Sequence, residues 1–183
     1  MRVRRRVASL HMKTHFELFG LEPAYALEAE RLERAYREIQ STIHPDRFAQ
    51  QGDAARRASI EWSARVNEAY RTLRDPLERA RYLLELKGLE LGMETNTAMP
   101  PEFLARQMEL RESLELAAAE KDAGALERQH AALRAERRQL EQALAELIDA
   151  RRDYPGAAAL TRKLMFLDRL DREIDATLAE IEA

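Results

Sequence analysis

Apolar and polar residues recur with helical spacing along most of this 183-residue chain. Glycine and proline divide the chain into uninterrupted stretches. In each of them apolar residues lie three or four positions apart, as one face of an α-helix requires. The two-residue alternation of a β-strand is absent, so the pattern predicts an all-α fold. The stretches are 24–44, 53–75, 77–87, 102–123, 125–154 and 157–183.

The first two stretches predict an antiparallel pair of helices, a helical hairpin, because the connection between them is short. Asp53 is the expected N-cap of the second helix. The predicted apolar stripes are Leu32, Tyr36, Ile39 and Ile43 in the first helix and Trp62, Val66, Ala69, Tyr70 and Leu73 in the second.

Two short elements flank this hairpin. Residues 15–20 predict a single amphipathic turn, from which Phe16 and Phe19 pack across the hairpin. Asp75 and Pro76 predict the start of a third helix, because aspartate caps a helix and proline fits its first position. That helix is expected to stop at Gly88.

The chain beyond residue 100 predicts an antiparallel three-helix bundle. Residues 88–99 lack periodicity and are the expected linker between two domains. Short turns at 122–124 and 155–156 separate three long helical stretches. The predicted core positions are Phe103, Leu110, Leu114 and Ala117; Leu126, Leu133, Leu140, Leu144, Leu147 and Ile148; and Leu160, Leu164, Leu167, Leu170, Ile174, Leu178 and Ile181.

His44, Pro45 and Asp46 lie at the corner between the first two predicted helices. Proline ends a helix and pushes the residue before it out of the α region, so we expect the imidazole and the carboxylate to point outward. The pair is compatible with acid–base catalysis, but no nucleophile motif, phosphate-binding loop or metal-ligand cluster accompanies it. A convex hairpin tip favours partner recognition over an enzyme site.

Recognition at this corner has a simple chemical basis. The Asp46 carboxylate can accept a bidentate arginine from a partner, and Pro45 lowers the cost of ordering the loop. Several arginines lie near the tripeptide, but glutamates are interleaved with them. On charge alone, these arginines are therefore best interpreted as part of a solvated helix face. The adjacent tripeptide favours a surface complementary to an acidic partner. The arginines are Arg31, Arg34, Arg37 and Arg47, and the glutamates are Glu28, Glu30, Glu33 and Glu38.

The composition narrows the classes of function further. A net charge of −3 disfavours a general nucleic-acid binder, and no apolar run is long enough to cross a membrane. The chain has no cysteine, which excludes disulfides and thiolate metal sites. The four histidines show no ligand spacing, so we expect no metal and no cofactor. No secretory signal is visible, and a reducing cytoplasm is the expected location.

Residues 1–12 form a basic extension that we expect to be disordered. Arg2, Arg4, Arg5 and Arg6 crowd an acid-free stretch before Met12. The stretch is short for a targeting peptide. A loose tail, with native synthesis beginning at Met12, is therefore favoured over a basic arm or the remnant of a transit peptide.

The surroundings of the tripeptide resemble the J-domain of DnaJ-type co-chaperones, and the chain as a whole resembles the HscB (Hsc20) family of J-type co-chaperones of iron–sulfur cluster assembly. The resemblance covers about residues 13–183. It rests on the segments FELFGL (16–21), HPDRFA (44–49), VNEAYRTLRDP (66–76), RARYLL (79–84), FL (103–104), QMELRE (107–112) and RKLMFLD (162–168).

This resemblance implies a J-domain at residues 13–87 and a scaffold-binding bundle at residues 100–183. The HPD tripeptide, with the arginines beside it, would dock on a specialised DnaK-type chaperone (HscA) and stimulate its ATP hydrolysis. The bundle would hold the iron–sulfur cluster scaffold protein (IscU) and present it to the chaperone. The family's scaffold-binding positions correspond here to Leu104, Met108, Glu109, Glu112 and Phe166.

The helical pattern is compatible with this scaffold patch. Leu104 and Met108 are rotated off the predicted seam of their helix, and Phe166 is one position off the stripe of its own. Exposed apolar residues rimmed by acids suit a transient interface. Burial at the edge of a wide apolar stripe would produce the same pattern.

The chain departs from the family pattern in places. Ala105 and Arg106 stand where relatives often carry a larger apolar residue and an acid, which predicts a smaller or weaker scaffold patch. Residues 40–42 are less basic than in many J-domains. Without cysteines, the chain resembles bacterial members of the family. We expect a monomeric, non-enzymatic adaptor; the alternatives are a J-protein with a different client and a structural helical protein.

Overall fold

Helices account for the regular structure in residues 14–43, 52–89, 91 and 100–182, which are the residues that the computed structural model describes. The all-α prediction is confirmed, since these ranges contain no β-strand. Contacts divide the chain into two units, Met1–Leu83 and Leu84–Ala183. The helices are α1 (His15–Leu18), α2 (Ala29–Ile43), α3 (Asp53–Arg74), α4 (Pro76–Glu85), α5 (Pro101–Ala119), α6 (Ala123–Ala145) and α7 (Tyr154–Glu182).

The short helix α1 is fixed by a capping box and by aromatic contacts. The Thr14 hydroxyl accepts from the Glu17 amide at 3.2 Å, and the Glu17 carboxylate accepts from the Thr14 amide at 2.7 Å. The His15 ring stacks on Tyr82 with the ring centroids 4.2 Å apart. Phe16 and Phe19 are buried, as predicted, where α1 packs against α3. One helical turn is stable here because the capping box satisfies its first amides and its aromatic side chains are packed.

Helices α2 and α3 form the predicted hairpin, but they contribute unequally to its core. In α3, the predicted positions Trp62, Val66, Ala69 and Leu73 are buried, whereas the remaining one, Tyr70, is half-buried. In α2, Leu32 is buried, whereas the remaining predicted positions, Tyr36, Ile39 and Ile43, are half-buried. The prediction that Asp53 caps α3 is wrong by one residue, because Gly52 is the N-cap and Asp53 begins the helix.

A group of polar and aromatic contacts, the α2–α3 clasp (Tyr36, Gln40, Asn67 and Tyr70), joins the half-buried side of α2 to α3. The Tyr36 hydroxyl donates to the Asn67 side-chain oxygen at 2.9 Å, and the Gln40 amide donates to the same oxygen at 2.5 Å. The Tyr36 and Tyr70 rings stack with their centroids 4.1 Å apart. These contacts set the register of the two helices where apolar burial is slight.

The end of α2 is held by α3 through a single buried hydroxyl. Ser59 of α3 is 5% exposed, and its Oγ donates to the Ile43 carbonyl at 2.7 Å. The last carbonyls of a helix have no partner within the helix. Ser59 therefore supplies a partner for the residue that immediately precedes His44.

Both predicted ends of α4 are confirmed. Asp75 accepts from the Glu78 amide at 2.9 Å, and Pro76 occupies the first helical position. At the other end, Gly88 has a positive φ of 77°. Its amide donates to the Glu85 carbonyl at 2.8 Å, and the Leu89 amide donates to the Leu84 carbonyl at 3.0 Å. This pair of bonds is a Schellman motif, which needs a residue in the left-handed region.

The second unit is the predicted three-helix bundle, with contacts among α5, α6 and α7. Its central cluster contains seven buried residues, all predicted core positions. Four other predicted core positions, Leu110, Leu140, Leu178 and Ile181, are only partly buried and pack against this cluster. The central residues are Leu114, Ala117, Leu126, Leu133, Leu167, Leu170 and Ile174.

The two turns of the bundle differ from the predicted ones. Gly124 lies inside the first turn of α6, because the chain reverses at Lys121 (φ 54°) and the Asp122 carboxylate accepts from the Ala125 amide at 2.9 Å. Residues 155–156 lie inside α7. The second reversal occurs after a π-helical segment, Glu146–Arg151, at Arg152, whose φ is also 54°.

Lys121 is a strained position, because a side chain with a Cβ disfavours the left-handed region. We expect Lys121→Gly to raise the free energy of unfolding by about 0.5–1 kcal/mol, the strain removed less the extra chain entropy of glycine. Urea denaturation measures this change. Lys121→Ala is the matched control, since it removes the charge but keeps the Cβ; an equal gain from alanine would contradict the strain argument.

Ser59→Ala removes the hydrogen bond to the Ile43 carbonyl and leaves that acceptor poorly satisfied. We expect a loss of about 1–2 kcal/mol in unfolding free energy, with faster amide exchange in the last turn of α2. Ser63→Ala, one turn along α3, is the control, because the buried Ser63 hydroxyl has no hydrogen-bond partner within the described residues. Equal losses from the two variants would refute the capping role of Ser59.

Candidate functional site

The predicted recognition corner, His44, Pro45, Asp46 and Arg47, lies outside the described residues. The structure describes both helices that lead to it, α2 up to Ile43 and α3 from Asp53. The α2–α3 clasp and the Ser59 hydrogen bond fix these helices against each other. The roles assigned to the four corner residues therefore stay predictions.

The arginines of α2 lie on an exposed face that also carries glutamates. Arg31 is exposed, Arg34 lies 4.0 Å from the Glu30 carboxylate, and Arg37 pairs with Glu33, each pair one turn apart. Arg37 lowers the pKa of Glu33, mainly through the hydrogen bond that it donates and secondly through its positive charge. The stabilisation from this pair is therefore present at neutral pH and is lost as the pH falls through that lowered pKa. Charge pairing within α2 fits a solvated face of mixed charge.

The predicted scaffold-binding residues occupy one region of the bundle, on α5 and α7. Met108 is 65% exposed, among the most exposed large apolar side chains in the described residues. Glu109 and Glu112 are exposed, and Leu104 and Phe166 are half-buried. The patch is thus an exposed methionine between partly covered apolar residues and acidic ones. Phe166 packs against the central cluster, as burial at the edge of a wide stripe predicts, and the interface role of the patch stays a prediction.

Aromatic packing holds the half-buried part of this patch in place. Phe103 and Phe166 meet edge to face, with the ring centroids 5.7 Å apart and the planes at 78°. The Lys163 ammonium lies 5.5 Å from the Phe103 centroid. Contacts of this kind join α5 to α7 and restrict the rotamer of Phe166.

The unusual Arg106 is engaged by the bundle itself. Its guanidinium lies 2.8 Å from the Glu136 carboxylate of α6, while Ala105 beside it is exposed. Arg106 therefore braces α5 against α6 and leaves a small apolar residue next to Leu104. The expectation of a smaller or weaker scaffold patch at these two positions stays a prediction.

Sequence analysis missed one exposed apolar residue on α5. Leu116 is 60% exposed and lies two turns beyond Met108. The signal was available, since residues 104, 108, 112 and 116 recur every four positions along one strip of the helix. The predicted buried stripe of this helix contains Leu114 and Ala117 but does not include Leu116.

Sequence analysis also missed a potential ligand set within the bundle. His130 of α6 is buried and faces Asp171 and Asp175 of α7, and these three side chains could hold a metal ion. No local motif indicates such a set, because its members come from two helices that are brought together only by packing.

Comparisons with known proteins support the resemblance seen in the sequence. A family model described as the HSCB C-terminal oligomerisation domain matches residues 99–175. The co-chaperone protein HscB homolog of Burkholderia thailandensis is 50% identical over 169 residues, which span 92% of this chain and 96% of the relative. The homolog from Burkholderia multivorans is 48% identical over the same coverage.

Solved structures give the same result for the fold. The chaperone HscB from Vibrio cholerae matches with a TM-score of 0.81 and 35% identity, covering 92% of this chain and 99% of that one. Human co-chaperone protein HscB matches with a TM-score of 0.84 and 26% identity, covering 90% and 82%. No helix in the described ranges combines the length and apolar character that crossing a membrane requires. The chain belongs to the HscB family of co-chaperones.

Proposed function

We propose that this protein stimulates the ATPase of a specialised DnaK-type chaperone (HscA) and delivers the iron–sulfur cluster scaffold protein (IscU) to it. Family membership over nearly the whole chain carries the proposal, since relatives named as HscB homologs share half of its residues. The protein acts as an adaptor and makes no covalent change itself. Each of its two units has one partner.

The chaperone-binding role belongs to the corner between α2 and α3. His44, Pro45 and Asp46 make the central contact, and Arg31, Arg34, Arg37 and Arg47 face the acidic surface of the chaperone. Arg34 and Arg37 must exchange their glutamate partners for acids of the chaperone. Exposed ion pairs contribute little free energy, so the exchange of partners costs little. The complementary charges mainly raise the rate of association.

The scaffold-binding role belongs to the patch on α5 and α7. Met108 supplies a flexible apolar anchor, while the half-buried Leu104 and Phe166 supply the less mobile apolar part of the patch. Glu109 and Glu112 supply the charged rim. A small apolar centre with an acidic rim suits a partner that must be handed on, because a limited apolar area keeps the complex reversible.

The remaining parts of the proposal follow from composition and exposure. A chain with no cysteine fits a reducing cytoplasm. The patch is small for a stable self-association, which favours a monomer before the partners bind. A J-protein with a different client is the second candidate, and the internal Arg106–Glu136 pair, which changes this face, is the observation that favours it.

His44→Gln and Asp46→Asn are each expected to abolish stimulation of the chaperone ATPase. The first variant removes the imidazole, and the second removes the negative charge. Steady-state ATP hydrolysis with HscA measures this. Asp53→Asn is the matched control, because it makes the same chemical change at an exposed carboxylate at the start of α3 and should keep full stimulation. Full activity in the two corner variants would refute the proposed chaperone contact.

Leu104→Ala combined with Met108→Ala is expected to weaken binding of the scaffold protein by about 2–4 kcal/mol, the range for truncated interface anchors. Isothermal titration calorimetry measures the affinity. Met108 is too exposed to matter for folding, whereas Phe166 packs on the core, so Phe166→Ala needs a parallel check of helical content.

Ile60→Ala is the control for this second experiment, because Ile60 is 50% exposed but lies in the other unit. It should bind the scaffold protein as the wild type does. Unchanged affinity in the Leu104/Met108 variant would remove the patch from the proposal, and wild-type protein that binds another client but not the scaffold would favour the second candidate.

A further inference from the structure

A polar cluster lies between α6 and α7, within the otherwise apolar bundle. The His130 Nε2 atom is 2.8 Å from Asp171 Oδ1 and 3.5 Å from Asp175 Oδ1. His130 is 8% exposed as a residue, and Asp171 and Asp175 are one helical turn apart on α7. Imidazole nitrogen and carboxylate oxygen are the usual protein ligands of zinc besides thiolate.

The two innermost atoms of this cluster are not paired with each other by a hydrogen bond. His130 Nε2 and Asp171 Oδ1 are both inaccessible to solvent, and neither has an aligned hydrogen-bond partner among the described residues, although they lie 2.8 Å apart. Buried polar atoms are satisfied in the great majority of cases, and a bound ion is one of the few explanations for an exception. Two potential ligand atoms therefore lie next to each other without an aligned hydrogen bond between them.

We propose that His130, Asp171 and Asp175 form a binding site for a divalent transition-metal ion of the zinc type. The three donor atoms lie within 4.8 Å of one another. In a tetrahedral site with bonds of about 2.0–2.1 Å, ligand atoms are separated by about 3.3 Å. The observed separations of 2.8 and 3.5 Å lie on either side of that value. Asp175, at 58% side-chain exposure, opens the site to solvent, which provides the path of entry.

Arg134 competes with a metal ion for the two carboxylates of this site. Its guanidinium atoms lie 3.7 Å from Asp171 Oδ1 and 4.0 Å from Asp175 Oδ1, longer than hydrogen bonds. The Arg134 side chain is 55% exposed and is free to turn toward solvent when a doubly charged ion arrives. The ion neutralises both carboxylates and also uses the imidazole lone pair, which a guanidinium cannot do.

A metal ion at this position joins α6 directly to α7. Helix α5, which carries most of the proposed scaffold patch, packs against both of these helices. Metal binding therefore stiffens the platform for α5 and raises the stability of the bundle by an amount that grows with the logarithm of the free metal concentration. The site does not depend on the proposed chaperone and scaffold contacts, and its test uses neither partner.

The experiment is a titration of the full-length protein with zinc chloride, followed by isothermal calorimetry at neutral pH. We expect one site in the wild type and at least a tenfold loss of affinity in Asp175→Asn, whose exposed position spares the fold. Glu173→Gln, an exposed carboxylate on the same helix, is the matched control and should bind as the wild type does. Arg134→Ala should bind several-fold more tightly, because it removes the competing cation.

A second readout identifies the ligand atom. In NMR spectra of the histidine side chains, zinc is expected to shift the Nε2 resonance of His130 and to leave that of His15 unchanged. Absence of zinc binding, equal affinity in Asp175→Asn and the wild type, or unchanged or weaker binding by Arg134→Ala would each overturn the site.

Discussion

The α2–α3 clasp is the interaction on which the helical hairpin of the first unit depends. Helix α2 buries Leu32 but leaves its other predicted apolar positions half covered, so apolar burial alone fixes its position weakly. The Asn67 oxygen compensates by accepting from both Tyr36 and Gln40. Such bonds are directional, whereas apolar contact allows sliding. The clasp therefore sets the register of α2 against α3, and Ser59 then fixes the carbonyl of Ile43.

The second unit is built on the opposite principle. Its centre is a continuous leucine-rich cluster, and ion pairs cover the cluster from outside. Arg137 of α6, for example, lies 2.9 Å from Glu141 on its own helix and 3.3 Å from Asp168 on α7. These side chains are mostly buried. The ion pairs therefore fix the orientation of α6 relative to α7, which leucine packing alone defines less closely. Against this background, the His130 cluster differs because its two inner atoms lie 2.8 Å apart without an aligned hydrogen bond.

Sequence periodicity predicted most of this architecture and failed where the local chemistry was unusual. The stripes of α3 and α7 were recovered because Val66, Leu73, Leu164 and Leu167 are buried at regular helical spacing. The turn at Gly124 was misplaced, since the left-handed residue is Lys121, a type that rarely adopts this conformation.

The candidate sites were predictable to different degrees. Met108 was recognised as off the seam from its helical position, and its exposure agrees. The half-burial of Phe166 was not predictable, because it follows from the edge-to-face contact with Phe103 of another helix. The role of His130 was not predictable for a related reason. The seven-residue leucine repeat already explains why its helix packs in the bundle, and the two aspartates that it faces lie some forty residues away in the sequence.

Helix α5 links the stability of the bundle to the proposed scaffold contact. Its fully buried residues, Leu114 and Ala117, lie in its second half, whereas Phe103 and Leu104 in its first half are only partly covered. The first half is instead positioned by the contact of Phe103 with Phe166 and by the ion pair of Arg106 with Glu136. A partner that covers Leu104 and Met108 would complete the burial of this half. The apolar area left for that burial is small, which keeps the proposed contact reversible.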